Sequence, residues 1–272
     1  MPRISVCTSV YNGMAYFDRA IPTILSQTLE DFEFIIYDDG SDDGTGERLA
    51  EIAKTDPRIL LIPSDGERRG LAEGLNHCVR HSSAPYCCQQ DFDDLSTPIR
   101  LAAQVKAFDE NPNVGVVGGA YQVLNEIRKE DFIRRPPLDH ESIVRRMAKA
   151  VPFAATCMAF RKQAWEDAGG YAPVKNLTDM NFYLRVLKTG KWKFMAVEEV
   201  LGTHHVHGES FFNNSMRYRE RQNHLARVQA QIVRETDLPA WMGIYPMARR
   251  VYPSLPPFLK KVARKVVGFK ED

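Results

Sequence analysis

The feature of this chain that most limits its fold is an alternation of two periods. Short apolar runs rich in β-branched and aromatic residues occupy Ile4–Val10, 32–37, 58–62, 84–90 and 114–117. Between them lie stretches whose apolar residues recur at helical spacing. Tyr16, Phe17, Ala20, Ile21, Ile24 and Leu25 form one such stripe, and Leu71, Leu75, Cys78 and Val79 another within 70–81. Segments 44–54 and 98–110 read as helices as well. Strand and helix in turn at this rhythm predict an α/β fold with a mostly parallel central sheet and right-handed crossovers. Ligands of such sheets bind beyond the carboxyl ends of the strands. The residues that end each run therefore carry the functional interest.

Past Gly119 the pattern loosens. Segment 120–133 suggests a strand pair, 141–149 a helix, and 153–160 a strand followed by a short helix to Ala168. A turn at Gly169-Gly170-Tyr171 precedes a helix over 177–189. Short strands at 192–195 and 200–203 follow, then a polar helix over 215–234. With 44% hydrophobic and 26% charged residues in 272, the chain has ample material for a core. A net charge of +1 gives no global case for a nucleic-acid partner. Five cysteines without framework spacing suggest a reducing compartment. Ile4–Val10 is too short and too polar for a signal-peptide core, and no apolar run reaches the roughly 20 residues of a membrane span. The expectation is a cytoplasmic protein.

Three carboxylates crowd the end of the fourth run, in Gln89-Gln-Asp-Phe-Asp-Asp-Leu-Ser-Thr-Pro-Ile-Arg100. Asp91, Asp93 and Asp94 repel one another unless something positive sits among them. Mg²⁺ or Mn²⁺ bridging to substrate phosphates is the usual answer, against the alternative of a solvated acidic turn. At the ends of the first two runs stand Thr8, Ser9 and Tyr11, and Asp38-Asp39-Gly40-Ser41. A carboxylate there can accept from a base N–H or a ribose hydroxyl, and an aromatic beside it can stack on a base. Taken alone, Asp-Asp-Gly-Ser is also a turn signal. Arg68 and Arg69 precede a helix, where a guanidinium can hold a base carbonyl or a phosphate, or lie in a solvated loop. Asp179 opens the 177–189 helix, as a cap favoured by the dipole or as a general base. His204-His205-Val206-His207 reads as a loop, with one histidine a candidate third metal ligand.

These residues bring a resemblance with them. Ile4 to Asn12 and Leu25 to Thr45, with its Asp38-Asp-Gly-Ser-Asp-Asp-Gly-Thr, resemble the opening of a family 2 glycosyltransferase. Gly70-Leu-Ala-Glu-Gly-Leu-Asn76 resembles the family's next helix, and Asp91-Phe-Asp-Asp with Pro98, Arg100, Leu101 and Gln104 its Asp-X-Asp segment. Asn113 to Gly118 continues it, and Gly169-Gly170-Tyr171 with Thr178 to Arg185 resembles the acceptor-side segment. The match runs over roughly residues 3–212, with motifs in order at the right intervals. It implies a GT-A fold with a Rossmann-like sheet, a nucleotide-sugar donor (UDP-linked), a divalent metal and inversion at the anomeric carbon. Carried over, Thr8, Ser9, Tyr11 and Asp39 hold the nucleoside, with Arg68 or Arg69 assisting. Asp91 and Asp93 serve donor and metal, Asp94 lies near the sugar, His207 approaches the metal, and Asp179 deprotonates the acceptor hydroxyl. Two departures stand out: the Glu-Asp usual before the base is Thr178-Asp179, and a later acid is Asn181. They keep open a degenerate relative that binds a nucleotide sugar without turnover. The Gln-x-x-Arg-Trp motif of processive synthases is absent, so transfer of one sugar to a glycan or glycolipid fits better than polymer extrusion. A sugar nucleotidyltransferase would need a Gly-rich, Lys-bearing phosphate loop after the first strand, and there is none.

The expected organisation is a catalytic domain over 1–236, split into a donor half (1–119) and an acceptor half (120–236), with an extension over 237–272. Residues 240–272 carry seven Lys/Arg against two acids. One helical face there holds Trp241, Ile244, Tyr245, Ala248, Val251 and Tyr252, with Arg249 and Arg250 off it. A second stripe runs through Phe258, Leu259, Val262, Ala263, Val266 and Val267, with Lys260, Lys261, Arg264 and Lys265 opposite. A basic amphipathic extension suits peripheral contact with an anionic membrane surface, or packing on the catalytic domain.

Overall fold

The computed structural model describes residues 1–63, 66–208, 218–256 and 260. Its first half follows the alternation. Strand β1 (Ile4–Val10) leads through a 3₁₀ turn into α1 (Phe17–Leu25). Then come β2 (Phe32–Asp38), α2 (Thr45–Ile52), β3 (Ile59–Ile62), α3 (Leu71–His81) and β4 (Tyr86–Gln89). β1, β2, β3 and β4 pair in parallel, in the order β3-β2-β1-β4. Both faces of this sheet are covered, so its strands are apolar throughout rather than alternating. Val6, Phe34 and Ile36 point to the cluster that holds Phe17 and Ile21 of α1. Cys7 and Ile35 point to the opposite cluster, with Leu75 and Cys78 of α3.

The second half completes one nine-stranded sheet. A two-residue β5 (Leu95–Ser96) and α4 (Arg100–Glu110) lead to β6 (Val114–Asn125), which turns back as β7 (Glu130–Arg134). After α5 (His140–Met147), the short β8 (Ala159–Arg161) inserts antiparallel between β4 and β6. α6 (Lys162–Asp167), α7 (Thr178–Lys188) and β9 (Lys193–Val206) follow, β9 lying parallel to β6 and antiparallel to β5. α8 (Tyr218–Glu235), a 3₁₀ turn over Ala240–Gly243, α9 (Ile244–Val251) and a last 3₁₀ turn over Tyr252–Ser254 complete the described elements.

Several expectations change here. The strand expected over 153–160 is confined to Ala159–Arg161, because a 3₁₀ turn at Ala155–Cys157 occupies its middle. The two short strands at 192–195 and 200–203 are one, β9, and it takes in His204 and His205, so those two are strand and not loop. Its register against β6 jumps from Gly119↔Val197 to Ala120↔Val200. The extra residues, Glu198 and Glu199, bulge out and interrupt the apolar pattern without ending the strand. All five cysteines are free and buried.

The apolar face expected over 240–252 is split. Trp241, Ile244 and Val251 face outward together with Met247, while Tyr252 is buried beside Met242, and α9 packs on α8 through Pro246 and Arg249. Arg249 was expected off the apolar face, on the polar side. It is buried because Gln229 Oε1 (3.0 Å), Gln222 Oε1 (2.6 Å) and the Lys149 carbonyl (2.8 Å) accept from its guanidinium. The second stripe, over 258–267, lies outside the described residues except for Lys260. Among the described residues no helix is long and apolar enough to cross a membrane.

Candidate active site

The loops after β1, β2 and β4 meet at the carboxyl edge of the parallel strands. Those after β1 and β2 are stitched together. The Asn12 amide N–H donates to Ser41 Oγ (3.0 Å), its side chain donates to Asp42 Oδ1 (2.7 Å), and the Gly13 N–H donates to Thr45 Oγ1 (2.9 Å). Asn12 takes a left-handed backbone (φ 52°), tolerable for Asn, to make this turn.

Asp39 sits buried at the head of α3. Its Oδ1 accepts from the Arg69 N–H (2.6 Å) and its Oδ2 from the Gly70 N–H (2.9 Å). A carboxylate has about four acceptor positions, so two remain for a ligand. The Arg68 guanidinium lies over the Tyr11 ring, 3.4 Å from its centroid, on an exposed face beside Asp39. Ser9 backs onto α3, where a Cβ at Gly74 would stand 2.0 Å from its Oγ; only glycine lets helix and strand approach this closely. Thr8 is fully buried and donates its hydroxyl to the Gln90 carbonyl (2.9 Å), joining β1 to the acidic turn from behind.

The acidic turn is held by residues that its own carboxylates do not reveal. Arg100 is fully buried. It donates to Gln90 Oε1 (2.6 Å), Ser96 Oγ (2.8 Å) and the Gln89 carbonyl (2.6 Å), clamping the turn to the start of α4. The Gln89 side chain donates to Asp91 Oδ1 (2.8 Å) and accepts from the Tyr171 hydroxyl (3.3 Å). Tyr171 is tied in turn through its backbone to Asn76 of α3. Asp91 is pushed up to about 7, first by burial and then by the Asp94 and Asp93 charges. Asp93 is also raised, by burial and by Asp94, with the His207 hydrogen bond pulling the other way.

β9 delivers its histidines to this turn. Asp94, buried, accepts from the His205 N–H (2.7 Å) and faces His204 Nδ1 (3.2 Å). Burial opposes charge on His204, but the Asp94 charge and hydrogen bond, with Asp91 and Asp93 behind, raise it to about 9. Arg19 donates to His205 Nδ1 (2.7 Å), so Nε2 carries the proton and donates to Glu126 (2.6 Å). His207 lies between Tyr16 (3.1 Å from Nδ1) and Asp93 Oδ2 (3.1 Å from Nε2). Asp179 occupies the first turn of α7, after Leu177 in a left-handed conformation. Burial pushes it up to about 6, against the Met180 amide, its own N–H and the His204 charge. Asp179 and the acidic turn thus lie in the field of one imidazolium.

The donor set fits a divalent cation. Asp93 and His207 face each other at hydrogen-bond distance, a pair that a cation can take over, and Asp91, raised by desolvation and by its acidic neighbours, resists ionising without one. Among the described residues no three His, Cys, Asp or Glu side chains form a cage of their own. Of the residues singled out from sequence, Asp39, Arg68, Arg69, Ser9 and Tyr11 gather on one flank, and Asp91, Asp93, Asp94 and His207 on the other. Gln89 and Tyr171, read only as parts of longer segments, gain specific roles at the turn. His204 and His205, read as loop residues in a run with one candidate metal ligand, reach Asp94 from β9.

A parallel half-sheet with an acidic turn at its carboxyl edge is the arrangement expected of a GT-A glycosyltransferase. The comparisons agree. Residues 5–169 match the model for Glycosyl transferase family 2. The glycosyltransferase EpsE of Bacillus subtilis is 34% identical over 194 residues, 70% of this chain and 68% of that protein. S. aureus TarS 1-349, solved in complex with UDP-GlcNAc, shares the fold with a TM-score of 0.73 at 14% identity, over 92% of this chain and 72% of that one. The mannosyltransferase PcManGT from Pyrobaculum calidifontis, solved with GDP-Man and Mn²⁺, does so with a TM-score of 0.70 at 22% identity, over 99% and 76%. The chain belongs to glycosyl transferase family 2 and is a glycosyltransferase of GT-A fold.

Proposed function

We propose that this enzyme is metal-dependent and inverting. It moves one sugar from a nucleoside diphosphate sugar, UDP-linked, to a hydroxyl of a glycan or glycolipid in cell-surface polysaccharide assembly. Residues 1–119 serve the donor and 120–236 the acceptor. The observation that carries the reading is the Asp93–His207 contact beside Asp91 and Asp94 at the carboxyl edge of the sheet, with Asp179, raised to about 6 by burial, in the first turn of α7 on the acceptor side. A base poised near neutrality is what proton removal from a hydroxyl calls for.

The residues divide the work. Tyr11 offers its ring to the base, and Asp39 its free acceptor positions to base N–H or ribose hydroxyl. Arg68, which leaves the Tyr11 face, and Arg69 assist there. Ser9 and, from behind, Thr8 shape the floor. Asp91, Asp93 and His207 would hold Mn²⁺ or Mg²⁺, which supplies positive charge to the leaving diphosphate. Asp94 fixes β9 against the turn and keeps His204 charged near the sugar. Asp179 takes the acceptor proton, and in-line attack inverts the anomeric centre. The acceptor class rests on the basic, apolar C-terminal extension, which suits a substrate held at the cytoplasmic face of a membrane.

The test is hydrolysis of a nucleotide-sugar panel with Mn²⁺, with Mg²⁺ and with chelator. Slow, metal-dependent release of nucleoside diphosphate from one donor is expected. Asp179→Asn should lower that release by roughly 10²- to 10⁴-fold with donor affinity kept. Unchanged turnover in Asp179→Asn removes it as the base. Donor binding without any turnover, with a full acceptor panel present, favours the degenerate relative.

A further inference from the structure

An amphipathic helix on a globular domain normally turns its apolar stripe inward. α9 does the reverse. Trp241, Ile244, Met247 and Val251 are 63%, 56%, 67% and 52% exposed, while Arg249 is buried at 6%. The arginine clamp to Gln222, Gln229 and the Lys149 carbonyl fixes the rotation, so the apolar face is held out and cannot roll under. Beside the stripe, a groove of about 570 Å³ lies between α8 and α9, lined by Ala230, Val233, Met247, Arg234 and Arg250 among others.

We propose that the outer face of α9, with Trp241, Ile244, Met247 and Val251 as its anchors, docks the enzyme on an anionic lipid surface. Charge complementarity identifies the occupant. Arg250 is exposed beside the stripe, and the sequence that follows brings Lys260, Lys261, Arg264 and Lys265 within a dozen or so residues, with no acid before Glu271. Apolar insertion combined with basic residues is the pattern of helices that lie in a headgroup layer. A tryptophan ring suits that depth, where one edge is apolar and the other wet. Juxtamembrane basic residues add attraction that falls with salt. This deepens the function proposed above by naming where the enzyme meets its membrane, and it stands on α9 rather than on the donor site.

The full chain is tested by co-sedimentation with phosphatidylcholine vesicles, with and without phosphatidylglycerol, and by quenching with acyl-brominated lipid. The expected result is binding only to the anionic vesicles, weakened by salt, with Trp241 emission quenched and Trp165 and Trp192 as internal references. Trp241→Glu with Met247→Glu should lower binding at least about tenfold. Nucleotide-sugar hydrolysis and thermal unfolding should stay as in the parent, so a defect in the donor site is told apart from a defect in docking. Three outcomes overturn the proposal. One is no binding to anionic vesicles. Another is binding undiminished in the double variant, which would assign attraction to the tail's lysines alone. The third is a dimer that the double variant dissociates without any vesicle binding, which would make the face a contact between copies.

Discussion

Arg100 offers a sharp test of how the acidic turn is built. Replacing it with methionine keeps length and apolar stem but removes the three donations, to Gln90 Oε1, Ser96 Oγ and the Gln89 carbonyl. The Gln89 carbonyl is then left in a site closed to water, since Gln89 is buried, and a buried acceptor deprived of its partner costs about 1–3 kcal/mol. Gln90 Oε1 keeps the Ser96 hydroxyl (2.7 Å) but loses its charged donor, and half-buried Ser96 is reached by water. With relief of the desolvated guanidinium offsetting part of this, the sum is roughly 2–4 kcal/mol. At about 2 °C per kcal/mol for a chain of this size, the melting temperature should fall by roughly 4–8 °C. Differential scanning calorimetry of the metal-free protein reads it directly. Arg100→Lys, with the charge kept but a single donor centre, should fall between. The turn should also loosen, so Mn²⁺ binding measured by titration calorimetry should weaken in step with the melting temperature. A melting temperature within about 2 °C of the parent would refute the argument, because it would mean that water or a rearranged turn satisfies those acceptors at no cost.

Four further outcomes follow from the same geometry. Asp39→Ala leaves the Arg69 and Gly70 amides without their acceptor, and nucleoside diphosphate affinity by calorimetry should drop about tenfold or more. Gly74→Ala drives a Cβ against Ser9 and Tyr37 and should cost about 1–3 kcal/mol in denaturant unfolding. Asp179, raised to about 6, must be ionised to accept a proton, so hydrolysis should climb about tenfold per pH step below 6 and level off above it. His204 should titrate near 9 by NMR in chelator, and nearer its ordinary 6.5 in Asp94→Asn. Because its folded pKa is the higher one, its contribution to stability is whole below 6.5 and is lost as pH rises through about 9.

The parallel half was legible because each of its elements keeps one period and buries one pattern. β1 to β4 are short, apolar on both faces, and separated by helices with plain stripes, so strand ends and loop residues could be placed within a residue or two. The later half mixes signals. Gly118 and Gly119 leave β6 without side chains just where Phe153 and Leu201 press in, which hides its continuation to Asn125. Glu198 and Glu199 bulge from β9 and divide one strand into two apparent ones. Period alone cannot see a bulge, since the residues that break the pattern remain within the ladder.

The acidic turn shows where composition stops informing about a site. Carboxylates announce themselves, and Asp91, Asp93 and Asp94 were found by crowding alone. Their three settings were not. Asp91 is held by Gln89, Asp93 faces His207, and Asp94 anchors β9 through His205. Gln89 is a local partner whose side-chain direction composition does not reveal, while His205 and His207 arrive from the end of β9 and the residue beyond it, more than a hundred residues away. Arg249 makes the same case at the other end of the chain. Read along the helix it belongs to the polar side; it is buried because acceptors on α8 and at Lys149 converge on it. Once it is, geometry leaves the apolar residues of α9 facing outward. A buried arginine thus decides which surface the enzyme presents, and replacing it with methionine should free α9 to roll its stripe inward. Vesicle binding should then fall, and the melting temperature with it because the Gln222, Gln229 and Lys149 acceptors lose their donor, whereas loss of an exposed positive charge would weaken binding alone.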